Sequence, residues 1–324
     1  MPTLPRAALL LTLAAAAALP ADEPSPMPGP PLVVIDAAGK EVKLKSYSFT
    51  AGIVRLSWLA EDGEAPPPEK DKKGKPKKGA GKLLKEGPEA LVLRDADKIN
   101  FLDGVTTFIP ISQLKAVDFD NAAKTMTVTA ATGKDDVKLV GTTAYKGINK
   151  VALEAEIDKG EAGVASVVYQ GGVIKGNLKG LRLPGAKGEA VAGRPATVES
   201  SDKGVPRSDK VFALTPVYEM PSGRLQMDPV LMFKKTLRID IGKVRKIRAA
   251  KDESEDVIWN VSLKGEDEES GYTLLTAGKV GGQDAKLHGL LARVPEGWRL
   301  FPIRRIVSVT FDGADLKEPK EAKD

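Results

Sequence analysis

The chain has 324 residues, 42% of them apolar, 29% charged and 5% aromatic, with a formal net charge of +5, one histidine and no cysteine. That length can bury one large core or two to three small ones. The missing cysteines exclude disulfides, thiolate chemistry, Cys-based zinc sites and a lipid anchor attached through cysteine, and one histidine excludes a multi-histidine metal site. The charge balance sits in one place: Lys70 to Lys85 holds eight lysines against Asp71, which leaves −2 for everything else. The basic balance therefore carries no specific nucleic-acid signal.

Arg6 followed by the Ala/Leu run Ala7 to Leu19 reads as a secretory signal peptide over 1–21, cut after Ala18 or Ala21. The run is too short to span a bilayer, which takes about 20 apolar residues. Residues 22–31 form a proline-rich spacer. A hairpin is expected from Leu32–Ile35 to Val42 and Leu44, then a strand-like run from Tyr47 to Leu59. Residues 61–89 have too few apolar side chains to repay ordering and read as a disordered Lys-rich insertion.

Strands are expected at Ala90–Arg94, Lys98–Leu102, Val105–Ile111, Lys115–Phe119, Thr125–Ala130, Val137–Val140 and Lys150–Ile157, with Asp103-Gly104 as a hairpin turn. Together, 32–158 form a first β domain. Residues 159–210 read as glycine-rich strands and linker, with Pro184 to Pro206 as a loop. Gly171, Gly172 and Gly176 invite a phosphate-cradle reading, but no helix pattern follows and a hairpin turn is favoured. Residues 211–316 form a second β domain of alternating strands, including a hairpin across Pro295-Glu296-Gly297, and 317–324 are a charged tail.

Two distant stretches echo each other. Ile109 to Ala122 and Phe301 to Ala314 share six of fourteen aligned residues, among them Pro110/Pro302, Ile111/Ile303, Val117/Val309 and Phe119/Phe311. Apolar anchors fall three apart at Ile111, Leu114 and Val117, at Ile303, Ile306 and Val309, and again at Ile241, Val244 and Ile247. One unbroken strand cannot point residues three apart into one core. A 3₁₀ turn between two short strands can, because residues three apart eclipse in it. The fold expected is all-β: two related, small, barrel-like or sandwich-like domains. The strand–turn–strand unit resembles those of SH3- and Sm-type barrels, a resemblance of about fifteen residues per copy that implies no activity.

Chemistry is sparsely signalled. His288 lies inside a predicted strand, where a structural role is expected. Ser112-Gln113-Leu114-Lys115 matches the Ser-x-x-Lys of serine acylating enzymes, yet it falls in the repeated unit, whose other copy lacks both residues. Asp120 and Asp312 begin turn pairs. Asp103, Asp118 and Glu154 remain open as carboxylates for a hydrolase. The strongest feature is basic: Lys243, Arg245, Lys246 and Arg248 near the third unit, and Arg304 and Arg305 at the last turn. Side by side, the two turns would form a patch for phosphate, sulfate or uronate groups; the alternative is a charged edge that discourages aggregation. Trp259 and Trp298 are possible ring-stacking residues, with core packing as the other reading.

These features point to an exported, non-enzymatic binding or scaffold protein without a cofactor. An anionic polysaccharide of the cell envelope is the leading partner, another envelope protein the next. The alternatives are a glycan-directed hydrolase using two carboxylates and a structural envelope component assembling through sheet edges.

Overall fold

The structure, a computed structural model, describes residues 31–59, 87–94, 104–143, 149–173, 175–202, 205–234, 237–249, 258–264, 270–275 and 277–312. The expected signal peptide, most of the Lys-rich insertion, the strand Lys98–Leu102 and the charged tail lie outside the described residues. What is described is all-β, with antiparallel pairing throughout and five single-turn 3₁₀ segments. Among the described residues no helix is long and apolar enough to cross a membrane.

All three i, i+3 stretches form strand, 3₁₀ turn, strand. The units are Thr106–Pro110, Ile111–Gln113 and Leu114–Asp120; Arg238–Asp240, Ile241–Lys243 and Val244–Ala249; and Gly297–Pro302, Ile303–Arg305 and Ile306–Phe311. Entry to each turn needs a φ near −60°, which proline fixes covalently: Pro110 sits at −54° and Pro302 at −58°. The unit without proline reaches −65° at Asp240, whose carboxylate accepts a hydrogen bond from Gly242 N at 2.7 Å. Leu114, Val117, Val244, Ile247, Ile306 and Val309 are all buried.

The largest sheet has thirteen strands and takes members from both halves of the chain. Its seam is the pairing of Thr106–Pro110 with Gly297–Pro302, where Phe108 faces Trp298, Thr107 faces Arg299 and Thr106 faces Leu300. Extending the sequence alignment back by three residues equates Thr106 with Trp298, Thr107 with Arg299 and Phe108 with Leu300. Exchanging the two aligned stretches therefore maps the pair Phe108–Trp298 onto Leu300–Thr106 and returns Thr107–Arg299 to itself. The register is two-fold symmetric about Thr107 and Arg299. The preceding strands follow suit: Ala90 faces Pro110 as Gly289 faces Pro302, and Arg94 faces Thr106 as Arg293 faces Trp298. Under the seam Ala90, Val92, Phe108, Leu291 and Leu300 share one apolar cluster, between a core from the first half and one drawn mainly from the second.

Several details differ from expectation. The Tyr47–Leu59 run breaks at Gly52 into Ser46–Ala51 and Ile53–Arg55, which lie in different sheets. Gly52 has φ +87° and a Cβ there would sit 2.2 Å from Lys150 O, so no other residue fits. The expected loop Pro184–Pro206 contains the strand Pro195–Asp202, paired with Val205–Glu219 and Ile306–Phe311 inside the large sheet. Ala196, Val198 and Ser200 point inward there, and only two of them are apolar, which hides the alternation. The glycine-rich connection 171–177 is no hairpin: it links Val164–Gly171 of a three-stranded sheet to Leu178–Arg182 of a six-stranded one, and no helix follows. The hairpin of Ala277–Val280 with Gln283–Val294 turns on Gly281 and Gly282, both at positive φ, and is absent from the expected elements despite that Gly-Gly pair.

Candidate functional site

The most concentrated ionisable cluster lies at the seam. Arg299 is 6% exposed and donates from all three guanidinium nitrogens: Nη1 to Asp209 Oδ1 at 2.5 Å, Nη2 to Glu296 Oε1 at 2.6 Å and Nε to Thr107 Oγ1 at 3.1 Å. Asp209 and Glu296 are also buried, and Arg207 Nε stands 2.9 Å from the second Asp209 oxygen. Gln113, in the turn of the first unit, has its amide between Glu296 O and Glu189 N, and with the amide nitrogen turned toward Glu296 it donates to that carbonyl at 3.3 Å and accepts from Glu189 N at 3.1 Å. Arg299 is bonded through all three nitrogens within the cluster, which clips the two halves together, while the buried second Asp209 oxygen has the Arg207 ion pair but no hydrogen bond of good geometry.

Antiparallel pairing separates the predicted basic turns. Lys246 faces Thr310 and Arg248 faces Ser308, a register that brings Val244, next to Lys243, level with Asp312. Arg304 lies eight residues before Asp312, beyond the whole strand Ile306–Phe311, more than about 20 Å away. Lys243 and Arg304 are exposed at opposite ends, and none of Arg245, Lys246, Arg248 and Arg305 is without a partner. The single patch built from both turns is thereby corrected. What the sheet does bring together is Lys246 and Arg248, on its outer face, with Lys210, which the sequence did not single out. One row across five strands reads Ser262, Lys246, Thr310, Thr197, Lys210 and the next reads Asn260, Arg248, Ser308, Glu199, Ser208. Ser308 Oγ donates to Glu199 Oε2 at 2.7 Å, which occupies the one acid in these two rows.

Trp259 is 1% exposed within the second core, so its ring has no face for a sugar. Its outward look in the sequence comes from the acidic residues before it. Trp298 is half-buried with the Arg293 guanidinium 4.4 Å from its ring centroid, and Arg293 in turn meets Glu189 at 3.3 Å. The stacking position is already filled from within the protein.

No acid–base constellation forms among the described residues. Lys115 Nζ pairs with Asp136 at 2.7 Å, not with Ser112. Asp118 pairs with Arg182 at 2.5 Å, and Asp120 caps its own turn through Ala122 N and Ala123 N. Asp103 lies outside the described residues. Glu154 and Glu156 line an open groove of about 500 Å³ with Ser46, Ser48 and Ser166, side by side on one strand. A glycosidase holds its two carboxylates across the scissile bond, facing each other. No group of three or more histidine or acidic side chains suited to a metal ion occurs among the described residues.

His288 is 8% exposed between Leu287 and Gly289. Burial lowers its pKa below the ordinary 6.5, Glu219 works against that shift and Lys286 adds to it. The folded chain thus refuses a proton that the unfolded chain accepts below about pH 6.5, and stability falls as pH drops from there toward the folded value. His288→Leu is expected to shrink the loss of denaturation midpoint between about pH 7 and pH 5. An unchanged pH profile would remove His288 as the cause.

Compared with known proteins, the chain matches no family model, no curated protein and no solved structure.

Proposed function

We propose that the chain is an exported, non-enzymatic scaffold or binding protein built from two copies of one small β module, and that it holds an anionic envelope polymer on the outer face of its large sheet. Export rests on the Ala/Leu run after Arg6. Duplication is supported by the symmetric seam: the equivalent residues Thr107 and Arg299 face each other, as two copies related by a local two-fold axis require.

The observation that carries the binding reading is the two-row face itself. Lys210, Lys246 and Arg248 stand on the outer side of five neighbouring strands, with Thr197, Thr310, Asn260 and Ser208 among them. Cations give long-range attraction, and neighbouring hydroxyls accept or donate to sugar oxygens. Lys70 to Lys85 adds a second, less specific source of attraction.

The test is salt elution from a sulfated polysaccharide matrix. Lys210→Glu combined with Lys246→Glu is expected to elute at clearly lower salt than the unaltered protein. Lys138→Glu combined with Arg304→Glu makes the same charge change, with Lys138 exposed in the six-stranded sheet, and is expected to shift elution much less. Equal shifts would mean that net charge alone decides retention, and the face would lose its role.

A further inference from the structure

The strand Val205–Glu219 carries an aromatic ring that the folding cores do not use. Lys210 is exposed and Val211 buried, so alternation sends Phe212 to the outer side of the large sheet, the side of Lys210. A bulge follows: Phe212 faces Arg293 and Thr215 faces Leu291, three steps on this strand against two on its neighbour. The extra residue keeps both Val211 and Leu214 in the core of the second half although they lie three apart, and it leaves Phe212 and Ala213 outside. Ala213 takes φ +47°, left-handed backbone uncommon outside glycine, so the chain bears local strain to keep this arrangement.

Phe212 is partly exposed and packs in none of the three apolar clusters. On one neighbouring strand it faces Pro195, which is exposed. On the other it faces Arg293, whose guanidinium lies 4.4 Å from the Trp298 ring centroid and meets Glu189 at 3.3 Å. A lone surface phenylalanine needs no explanation by itself. This one adjoins the cationic rows: Lys210 lies two residues before it on the same face, about 7 Å along the strand, and Thr197 faces Lys210.

We propose that Phe212 is a ring-stacking residue of the outer face, and that the polymer held there is built of pyranose rings with an anionic group on the stacked sugar or the next one. The proposal rests on the reading of that face as the binding surface. An aromatic ring is negative on its face, so the polarised C–H bonds on one side of a pyranose meet it favourably. With a sugar on Phe212, the Lys210 ammonium is within reach of a sulfate or carboxylate close by, and Thr197 beside it offers a hydroxyl to sugar oxygens. Charge alone would recognise any polyanion. The ring adds a demand that a polyphosphate does not meet.

The test compares two soluble probes, dextran sulfate and a linear inorganic polyphosphate, on the unaltered chain and on Phe212→Ala, Phe212→Trp and Lys210→Gln. Phe212→Ala is expected to weaken dextran sulfate binding about tenfold. Polyphosphate binding and the salt dependence for both probes are expected to stay unchanged in it, because no charge is altered. Its denaturation midpoint is expected to stay close to that of the unaltered chain, since the ring lies outside the apolar clusters. Phe212→Trp is expected to hold dextran sulfate at least as well as the unaltered chain, and Lys210→Gln to weaken both probes. Undiminished dextran sulfate binding by Phe212→Ala would overturn the stacking role and leave the cationic face standing. Equal weakening toward both probes would also overturn it, since a ring that stacks on sugar has no hold on polyphosphate. Lys210→Gln without effect on either probe would remove the face itself, and the stacking role with it.

Discussion

Arg299→Ala is expected to cost about 3–5 kcal/mol of folding stability, measured by denaturant unfolding. Removing the guanidinium leaves Glu296, 5% exposed, with no cation in contact, and leaves Asp209 with Arg207 alone. A buried carboxylate stripped of its partner keeps its full desolvation cost, and this is what makes such a truncation severe. The triple replacement Arg299→Met, Asp209→Leu, Glu296→Leu is expected to recover most of the loss, because an apolar cluster of similar volume needs no compensation. A loss under about 1 kcal/mol for Arg299→Ala would mean that the site is wet and that the clip does not hold the seam.

Gly297→Ala is expected to be nearly as damaging, about 3 kcal/mol or more. Gly297 has φ +140°, where a side chain is strained, and a Cβ there would meet Phe108 O at 2.2 Å and Pro110 Cδ at 2.7 Å. Those atoms belong to the facing strand Thr106–Pro110, so neither is a flexible tip that can swing aside. Relief requires parting the two seam strands and the apolar cluster beneath. Gly223→Ala separates strain from collision: Gly223 has φ +78°, but a methyl group there would meet nothing within 4 Å, and its expected cost is about 1 kcal/mol. Equal costs at the two glycines would show that backbone conformation alone matters and that the seam tolerates opening.

The corners of this fold were legible because their physical cause is local. An apolar spacing of three with an extended strand on each side leaves the chain one way to keep Leu114, Val117, Ile306 and Val309 inside, and proline before the turn fixes the entry angle. The hairpins at Val33–Lys43, Thr125–Thr142 and Gln283–Pro302 were legible for similar reasons of alternation and turn residues. Pro195–Asp202 was not, since Ser200 takes an inward position where alternation leads one to expect an apolar residue. The basic patch failed for a nonlocal reason: which end of one strand adjoins which end of another depends on pairing direction, and proximity in the alignment of two turns says nothing of it. Lys210 joins Lys246 through three intervening strand pairings, a neighbourhood that only the assembled sheet defines. The clip of Arg299, Asp209 and Glu296 was hidden in the same way, its members being separated by up to 90 positions.

The proposed binding role of the outer sheet face is tested most directly by measuring affinity for a soluble sulfated polysaccharide over a series of salt concentrations, for the unaltered chain and for a variant with Lys210, Lys246 and Arg248 all changed to Gln. Affinity of the unaltered chain is expected to fall steeply as salt rises, and the variant is expected to bind more weakly at low salt and to show a shallower slope. Coincident curves for the two proteins, or binding indifferent to salt, would contradict the account.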